Sequence, residues 1–284
     1  MKGKVLITGS NGFIGKQLKQ ELLKEGYEIL EFNSKDGDIA KTELHVTGID
    51  HVFHLAGKSF VPDSWKNPKA FYDVNVTGTL NVLELCRKTG AGLTFISSYV
   101  YGIPQYQPID ECHPVKPANP YGHSKMVAEE ICKYYGESFN LKITIVRPFN
   151  IYGAFQSKDF LIPVILKQLF DKKQSKVEVL DLTPRRDYLF LDDLVSAIVS
   201  LYKKSKVGTY NIGSGYSMTV EEIIKSIIEA TGIHKGYISK ETPRKNEIPD
   251  VIADIGKIKA EIGWLPSNTF KQGIAEILKR EQLR

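Results

Sequence analysis

Cysteine, methionine and tryptophan are all scarce in this chain. The three cysteines, Cys86, Cys112 and Cys132, are an odd and widely spaced set. They exclude a disulfide framework and point to a reducing cytoplasm. The longest uninterrupted apolar stretches fall far short of the ~20 residues that cross a bilayer, so no membrane partner is expected. The start, Met1-Lys2-Gly3-Lys4, leads straight into a strand-like run, and no signal peptide is visible. Neither sign of charge dominates. Lys+Arg 38 against Asp+Glu 33 leave +5, too little and too scattered for nucleic acid. Pairs such as Lys172-Lys173 and Lys203-Lys204 read as solvated helix ends, and the small excess suits an anionic small molecule. Metal ligands are lacking too. His51 and His54, three apart on a strand, point to opposite faces. Cys112-His113 sits in a proline-rich loop without partner ligands.

What is present is a globular composition, 42% apolar and 25% charged, over 284 residues, enough for one core plus a lobe. Short apolar runs at Lys4–Thr8, Tyr27–Phe32, Val52–Leu55, Leu93–Ile96 and Ile143–Val146 read as buried strands. Phe13, Ile14, Leu18, Leu22 and Leu23 fall at helical spacing, and further helical patterns span 68–88 and 120–135. Continuous apolar strands alternating with helices predict an α/β fold, a doubly wound parallel sheet covered on both faces. After Pro148 the pattern loosens. A helix is expected near Leu161–Phe170, a strand at Val177–Leu180 and a helix through Leu194, Ile198 and Leu201, capped by Asp192. A strand at Thr209–Ile212 follows, then three helical patterns separated by Pro243, Pro249 and Pro266. The expected division is 1–152 for the sheet domain, with segments of about 183–213 returning to it, and 153–284 for a smaller C-terminal α/β lobe. Trp65 and Trp264 read as packing residues.

The first strand runs into Thr8-Gly9-Ser10-Asn11-Gly12-Phe13-Ile14-Gly15. Glycines three apart between a strand and a helix let the backbone turn sharply and approach a pyrophosphate. The helix N-terminus then offers its free N–H groups to the phosphates. The spacing differs from the G-x-G-x-x-G of ordinary dehydrogenases. Other motifs follow in order: His54-Leu55-Ala56-Gly57, Asn75-Val76-Thr77-Gly78-Thr79, Ser97-Ser98-Tyr99-Val100-Tyr101-Gly102 and Tyr121-Gly122-His123-Ser124-Lys125. Next come Arg147-Pro148-Phe149-Asn150-Ile151-Tyr152-Gly153, Arg186-Asp187-Tyr188 and Arg244.

Together, from Val5 to about Pro266, these motifs resemble the extended short-chain dehydrogenases/reductases that act on nucleotide sugars, the epimerase/dehydratase family. The resemblance implies a Rossmann domain and a C-terminal substrate lobe. It implies cofactor contacts from Gly9, Asn11, Gly12, Phe13, Ile14 and Gly15, from Asp38 and Ile39 at the adenine, and from Leu55, Ala56 and Gly57. Asn75 resembles a structural and active-site asparagine. Pro148 falls in the segment closing over nicotinamide and substrate, and Ser98 and Asn150 face the substrate side. Arg186 and Arg244 stand where relatives hold the nucleotide diphosphate, although surface ion pairs would also explain them. A homodimer through the helices at 68–88 and 120–135 is implied, yet core packing explains their apolar faces equally well.

The catalytic candidates are Ser97, Tyr121 and Lys125. Tyr121 and Lys125 are four apart in a helical pattern, so both side chains leave one face. A phenol titrates near pH 10, and an ammonium beside it should favour the phenolate. Tyr121 can then exchange a proton with a sugar oxygen while a nicotinamide exchanges the hydride, Lys125 holding ribose hydroxyls and Ser97 bonding the same reacting oxygen. Relatives that dehydrate sugars place a carboxylate pair directly after the catalytic serine. Here those positions are Ser98 and Tyr99, so dehydration is not expected. A 4-ketosugar reductase and a 4-epimerase remain, with a non-catalytic dinucleotide binder behind them. Asn33-Ser34-Lys35 stands where NAD-preferring relatives carry a ribose-binding aspartate, which favours NADP(H), with NAD(H) possible. A shift of one residue would instead bring in Glu31 or Asp36. The short stretch from there to Asp36-Gly37-Asp38-Ile39 resembles the compact ketoreductases, and reduction is the favoured reading.

Overall fold

A computed structural model of the chain describes residues 2–242 and 248–283. Its centre is a sheet of six parallel strands, β1 (Lys2–Thr8), β2 (Tyr27–Phe32), β3 (His51–His54), β4 (Gly92–Ile96), β5 (Ile143–Pro148) and β10 (Gly208–Ile212), in the order β10-β5-β4-β3-β1-β2. Successive side chains of a strand point to opposite faces. Accordingly Val5 and Ile7 of β1 join one hydrophobic cluster and Leu6 the other. The first cluster packs Leu18 and Leu22 of α1 (Phe13–Lys24) with Leu194, Ile198 and Leu201 of α7 (Leu191–Lys203). The second packs Val82 and Leu83 of α4 (Gly78–Thr89) with Ala128 and Cys132 of α5 (Pro120–Phe139). The result is the doubly wound, Rossmann arrangement expected from the strand and helix patterns.

The pattern at 68–88 is one helical path with an interruption. α3 (Pro68–Tyr72) passes through a wide π turn at Asp73–Thr77 before α4 begins. α2 (Val61–Lys66) precedes it as a short surface helix. Only Ser64 of α2 is buried, and Trp65 stands 59% exposed, so its expected packing role is wrong. Trp264 does pack in the first cluster and donates from Nε1 to Ser196 Oγ at 2.9 Å. Asp192 does not cap α7. The helix starts one residue before it, after Phe190, and the Asp192 carboxylate pairs with Arg280.

The C-terminal lobe has its own core. Ile165 and Leu166 of α6 (Leu161–Phe170), Ile223 and Ile227 of α8 (Val220–Thr231) and Ile274 and Ile277 of α10 (Phe270–Arg280) close around Val177 of β7 (Lys176–Val179). β7 pairs in parallel with β12 (Gly236–Ser239). Thr219 and Thr269 close capping boxes with Glu222 and Gln272 at the starts of α8 and α10. The short strands β6 (Asn150–Tyr152), β8 (Arg185–Arg186), β9 (Tyr188–Phe190) and β11 (Met218–Thr219) join the two halves, with α9 (Gly256–Ile262) packing near β10.

Asp187, which the sequence offers only as the middle of Arg186-Asp187-Tyr188, lies between β8 and β9 and is fully buried. Its carboxylate accepts from Ser214 N and Oγ at 2.6 Å, from Gly215 N at 2.9 Å and from Ala253 N at 3.1 Å. Its carbonyl accepts from Asn150 N. One side chain thus ties two remote segments beside Arg186 and Asn150. Asp187→Ala should lower stability by about 2–4 kcal/mol, because buried donors lose a charged acceptor. Urea unfolding followed by circular dichroism measures this, and a loss below about 1 kcal/mol would contradict it.

Candidate active site

The glycine turn lies where β1 meets β3. Gly9 has φ +73°, and a Cβ there would fall 2.7 Å from Ala56 N. A Cβ on Gly15 would overlap the Gly9 carbonyl, so the first turn of α1 can press onto the loop only without a side chain. No side chain caps α1, which leaves its first N–H groups for an anion. In front lies a cavity of about 580 Å³. Of the expected cofactor residues, Gly9, Asn11, Gly12, Asn33, Ser34, Asp38, Ile39, Leu55, Ala56 and Gly57 line it. Phe32, Gly37, Lys58 and Val74 line it as well. The sequence reading passed over these four, although each adjoins a residue it did choose. Lys35 does not line the cavity, and the side chains of Phe13 and Ile14 pack against the first hydrophobic cluster.

Glu31, Asn33 and Asp36 have different partners. Asn33 Oδ1 accepts from Asn11 N at 2.9 Å and Ser10 Oγ at 3.0 Å, at the cavity wall. Asp36 accepts from Asn33 N at 2.7 Å and turns the loop. Glu31 is engaged by Lys19 and Ser10, which hold its carboxyl below the usual range.

A second group of residues lies at the carboxyl ends of β4 and β5. Ser97 follows β4 directly, and its N–H donates to Val146 O at 2.8 Å. Ser97 and Ser98 are buried, and their hydroxyls have no hydrogen-bond partner among the described residues. Tyr121 and Lys125 come from the first turns of α5, which starts on Pro120 and is capped by Asn119 accepting from Gly122 N. Lys125 Nζ lies 4.3 Å from the centre of the Phe95 ring. A Cβ on Gly57 would come within 3.9 Å of the same Nζ and 2.9 Å of Asn75 Oδ1. The cavity and the catalytic candidates therefore share one wall.

Asn75 sits in the π turn and works as a clamp. It accepts from Lys58 N at 2.8 Å, donates to Lys58 O at 3.0 Å and donates to Ser124 Oγ at 2.9 Å. Ser124 in turn donates to Tyr121 O at 2.7 Å. Burial lowers the Lys125 pKa to about 8, and it raises that of Tyr121. Ser98 acts against the rise at Tyr121 without forming a full hydrogen bond. The expected lowering of the phenol by Lys125 is thus absent in the protein by itself, where desolvation dominates.

On the substrate side, Pro148 is buried at the end of β5, and Asn150 is held through its backbone by Asp187. Arg186 donates from Nη1 to the carbonyls of Arg185 and Ile248 at 2.6 and 2.5 Å. Its charge also acts on Tyr99, next to Ser98. Arg244 lies outside the described residues. Among the described residues, no group of His, Cys, Asp or Glu could hold a metal ion, and no helix is long and apolar enough to cross a membrane.

Residues 5–213 match the model of the NAD dependent epimerase/dehydratase family. The chain belongs to that family. It is 33% identical to the UDP-glucose 4-epimerase of Lactobacillus helveticus, over 93% of this chain and 92% of the relative. It is 30% identical to the GDP-6-deoxy-D-mannose reductase of Pseudomonas aeruginosa, over 98% and 97%. Among solved structures, Pseudomonas aeruginosa RMD complexed with NADPH superposes with a TM-score of 0.86 at 27% identity, covering 98% of each chain. The UDP-glucose 4-epimerase of Thermus thermophilus in complex with NAD gives 0.89 at 27% identity, covering 99% of each. Family membership and the geometry agree on an NAD(P)-binding fold. An uncapped helix N-terminus, a turn with no space for a Cβ and two buried hydroxyls without partners all fit a dinucleotide and a polar substrate. Gly9→Ala should weaken dinucleotide binding roughly 10–100-fold, since a positive φ and a backbone clash together strain the turn. Equilibrium dialysis against NADPH and NADH measures this, and unchanged binding of both would exclude the turn from the site.

Proposed function

We propose that this protein reduces the 4-keto group of a nucleotide-activated, 6-deoxy sugar, with NADPH as the hydride source. The observation that carries the reading is Asn33 at the cavity wall, where an NAD-preferring site holds a carboxylate. Asn33 Oδ1 accepts from Asn11 N, and its side chain also acts on Glu31, so the position offers a neutral amide, a donor as well as an acceptor. A donor accommodates a 2′-phosphate, which a carboxylate would repel. In this reading residues 1–152, with about 183–213 returning, serve the dinucleotide, and 153–284 mainly the sugar nucleotide. A cytoplasmic homodimer belongs to the same reading.

NADPH held by the residues lining the cavity, Gly9, Asn33 and Ala56 among them, would supply the hydride needed at C4. Tyr121 delivers its phenolic proton to the C4 oxygen, which becomes the hydroxyl, and the phenolate regains a proton from solvent. Burial keeps this phenol protonated at neutral pH, which suits a proton donor. Ser97 donates a hydrogen bond to the same oxygen, and Lys125 holds the ribose hydroxyls. Ser98 and Asn150 meet the sugar, and Arg186 and Arg244 the diphosphate. Tyr121→Phe should lose roughly 10²–10⁴ in turnover, with little change in nucleotide-sugar affinity. Steady-state kinetics and calorimetry separate the two, and a Phe variant with near-full turnover removes Tyr121 from the chemistry.

The competing reading is a 4-epimerase, favoured by the similarity to the Lactobacillus helveticus enzyme. Cofactor traffic distinguishes them, because a reductase exchanges its cofactor at every turnover whereas an epimerase returns the hydride and can retain NAD. The protein should purify largely free of dinucleotide and oxidise NADPH stoichiometrically with a 4-keto-6-deoxy sugar nucleotide. It should bind NADPH more tightly than NADH, with Asn33→Asp shifting the preference towards NADH. Absorbance at the nicotinamide band and the spectrum of the supernatant after denaturation test this. Retained NAD, with no net NADPH consumption on any 4-ketosugar nucleotide, makes the epimerase the better reading.

A further inference from the structure

A buried ion pair lies one helical turn beyond Lys125. Glu129 follows it by four residues on the same face of α5, and the two are 1% and 6% exposed. Arg147, 2% exposed on β5, donates from Nε to both Glu129 oxygens at 3.0 and 3.1 Å and from Nη2 to Oε2 at 2.5 Å. The third guanidinium nitrogen, Nη1, donates to Tyr101 Oη at 2.8 Å. Tyr101 donates to Asn211 Oδ1 at 2.6 Å, and Asn211 Nδ2 donates to Ile109 O at 2.9 Å. The chain of bonds runs from the catalytic helix, across the end of the sheet, to the segment around Ile109.

Ions taken out of water are costly unless each serves another. The titratable groups around Lys125 are few. On its own helix they are Tyr121, Glu129 and Cys132; His54 faces it from β3, Arg147 stands on β5, and Cys86 lies beside Cys132. Burial lowers Lys125, while Cys132 and Glu129 act in the opposite direction. Burial also raises the Cys132 thiol far above its ordinary range and lowers His54 to about 3, so both are uncharged where Lys125 titrates. Glu129 is the anion that remains.

We propose that Glu129 and Arg147 are positioning residues for Lys125. Glu129 supplies the negative charge that keeps Lys125 an ammonium inside the protein. Arg147 fixes that charge in place and ties it, through Tyr101 and Asn211, to the segment around Ile109. The proposal rests on Lys125 being the cation of this site, not on which reaction the site performs.

The test therefore uses neither substrate nor cofactor. Protein carrying ¹³Cε-lysine is titrated by NMR, with Lys125 assigned by loss of its resonance in Lys125→Arg. The parent midpoint should lie at about 8. The double variant Glu129→Gln/Arg147→Gln, which replaces the pair by neutral groups of similar size, should lower it by about one unit. Tyr101→Phe leaves the pair intact and should keep the parent midpoint. An unchanged midpoint in the double variant, or an equal fall in Tyr101→Phe, overturns the proposal and leaves the pair a structural element only. If the double variant does not fold, Glu129→Asp, which draws the carboxylate back by one methylene, must lower the midpoint in the same direction. No fall there is equally fatal.

Discussion

All six strands of the central sheet run the same way, and this constraint organises everything else. A parallel neighbour can be reached only by a crossover, so both faces are covered and every carboxyl end arrives at one edge. β1 stands where the order reverses, with β2 on one side and β3 on the other. The crossovers leave in opposite directions there and open a crevice at the strand ends. Gly9 and Ala56 meet backbone to backbone in that crevice because neither needs space for a side chain at the contact. Ser97 and Pro148 arrive at the same edge on β4 and β5, and α5 brings Tyr121 and Lys125 beside them.

Strand ends and loops are exact only if something holds them. In this protein the supports are buried polar side chains, each accepting or donating in several directions. Asn75 fixes Lys58 and, through Ser124, the first turn of α5. Asp187 fixes the turn at Ser214 and Gly215 against Ala253. Glu129 and Arg147 fix α5 against β5. A buried polar group without partners costs several kcal/mol, so these residues specify one arrangement of the loops and penalise others. The hydroxyls of Ser97 and Ser98 are the opposite situation, buried and without a full hydrogen bond among the described residues.

Family membership fixes the kind of chemistry, while charge placement at the two ends of the dinucleotide site bears on its direction. At the adenosine end, Asn33 lines the cavity while Glu31 is neutralised by Lys19. At the reacting end, desolvation raises the phenol and lowers the lysine, moving their proton affinities apart.

The sequence by itself determined the layered fold, the glycine turn and the residues that gather at the cavity. Apolar period, glycine spacing and the four-residue step from Tyr121 to Lys125 are properties of neighbours along the chain, and they survive whatever the rest does. The tertiary structure alone decided which polar groups meet. No local pattern pairs Glu129 with Arg147, brings Asp187 to Ala253, exposes Trp65 or turns Asp192 from a cap into a partner of Arg280. It also decided that burial, rather than the neighbouring lysine, governs Tyr121. Desolvation and buried pairing depend on segments far apart in sequence, and they take definite values only when those segments pack.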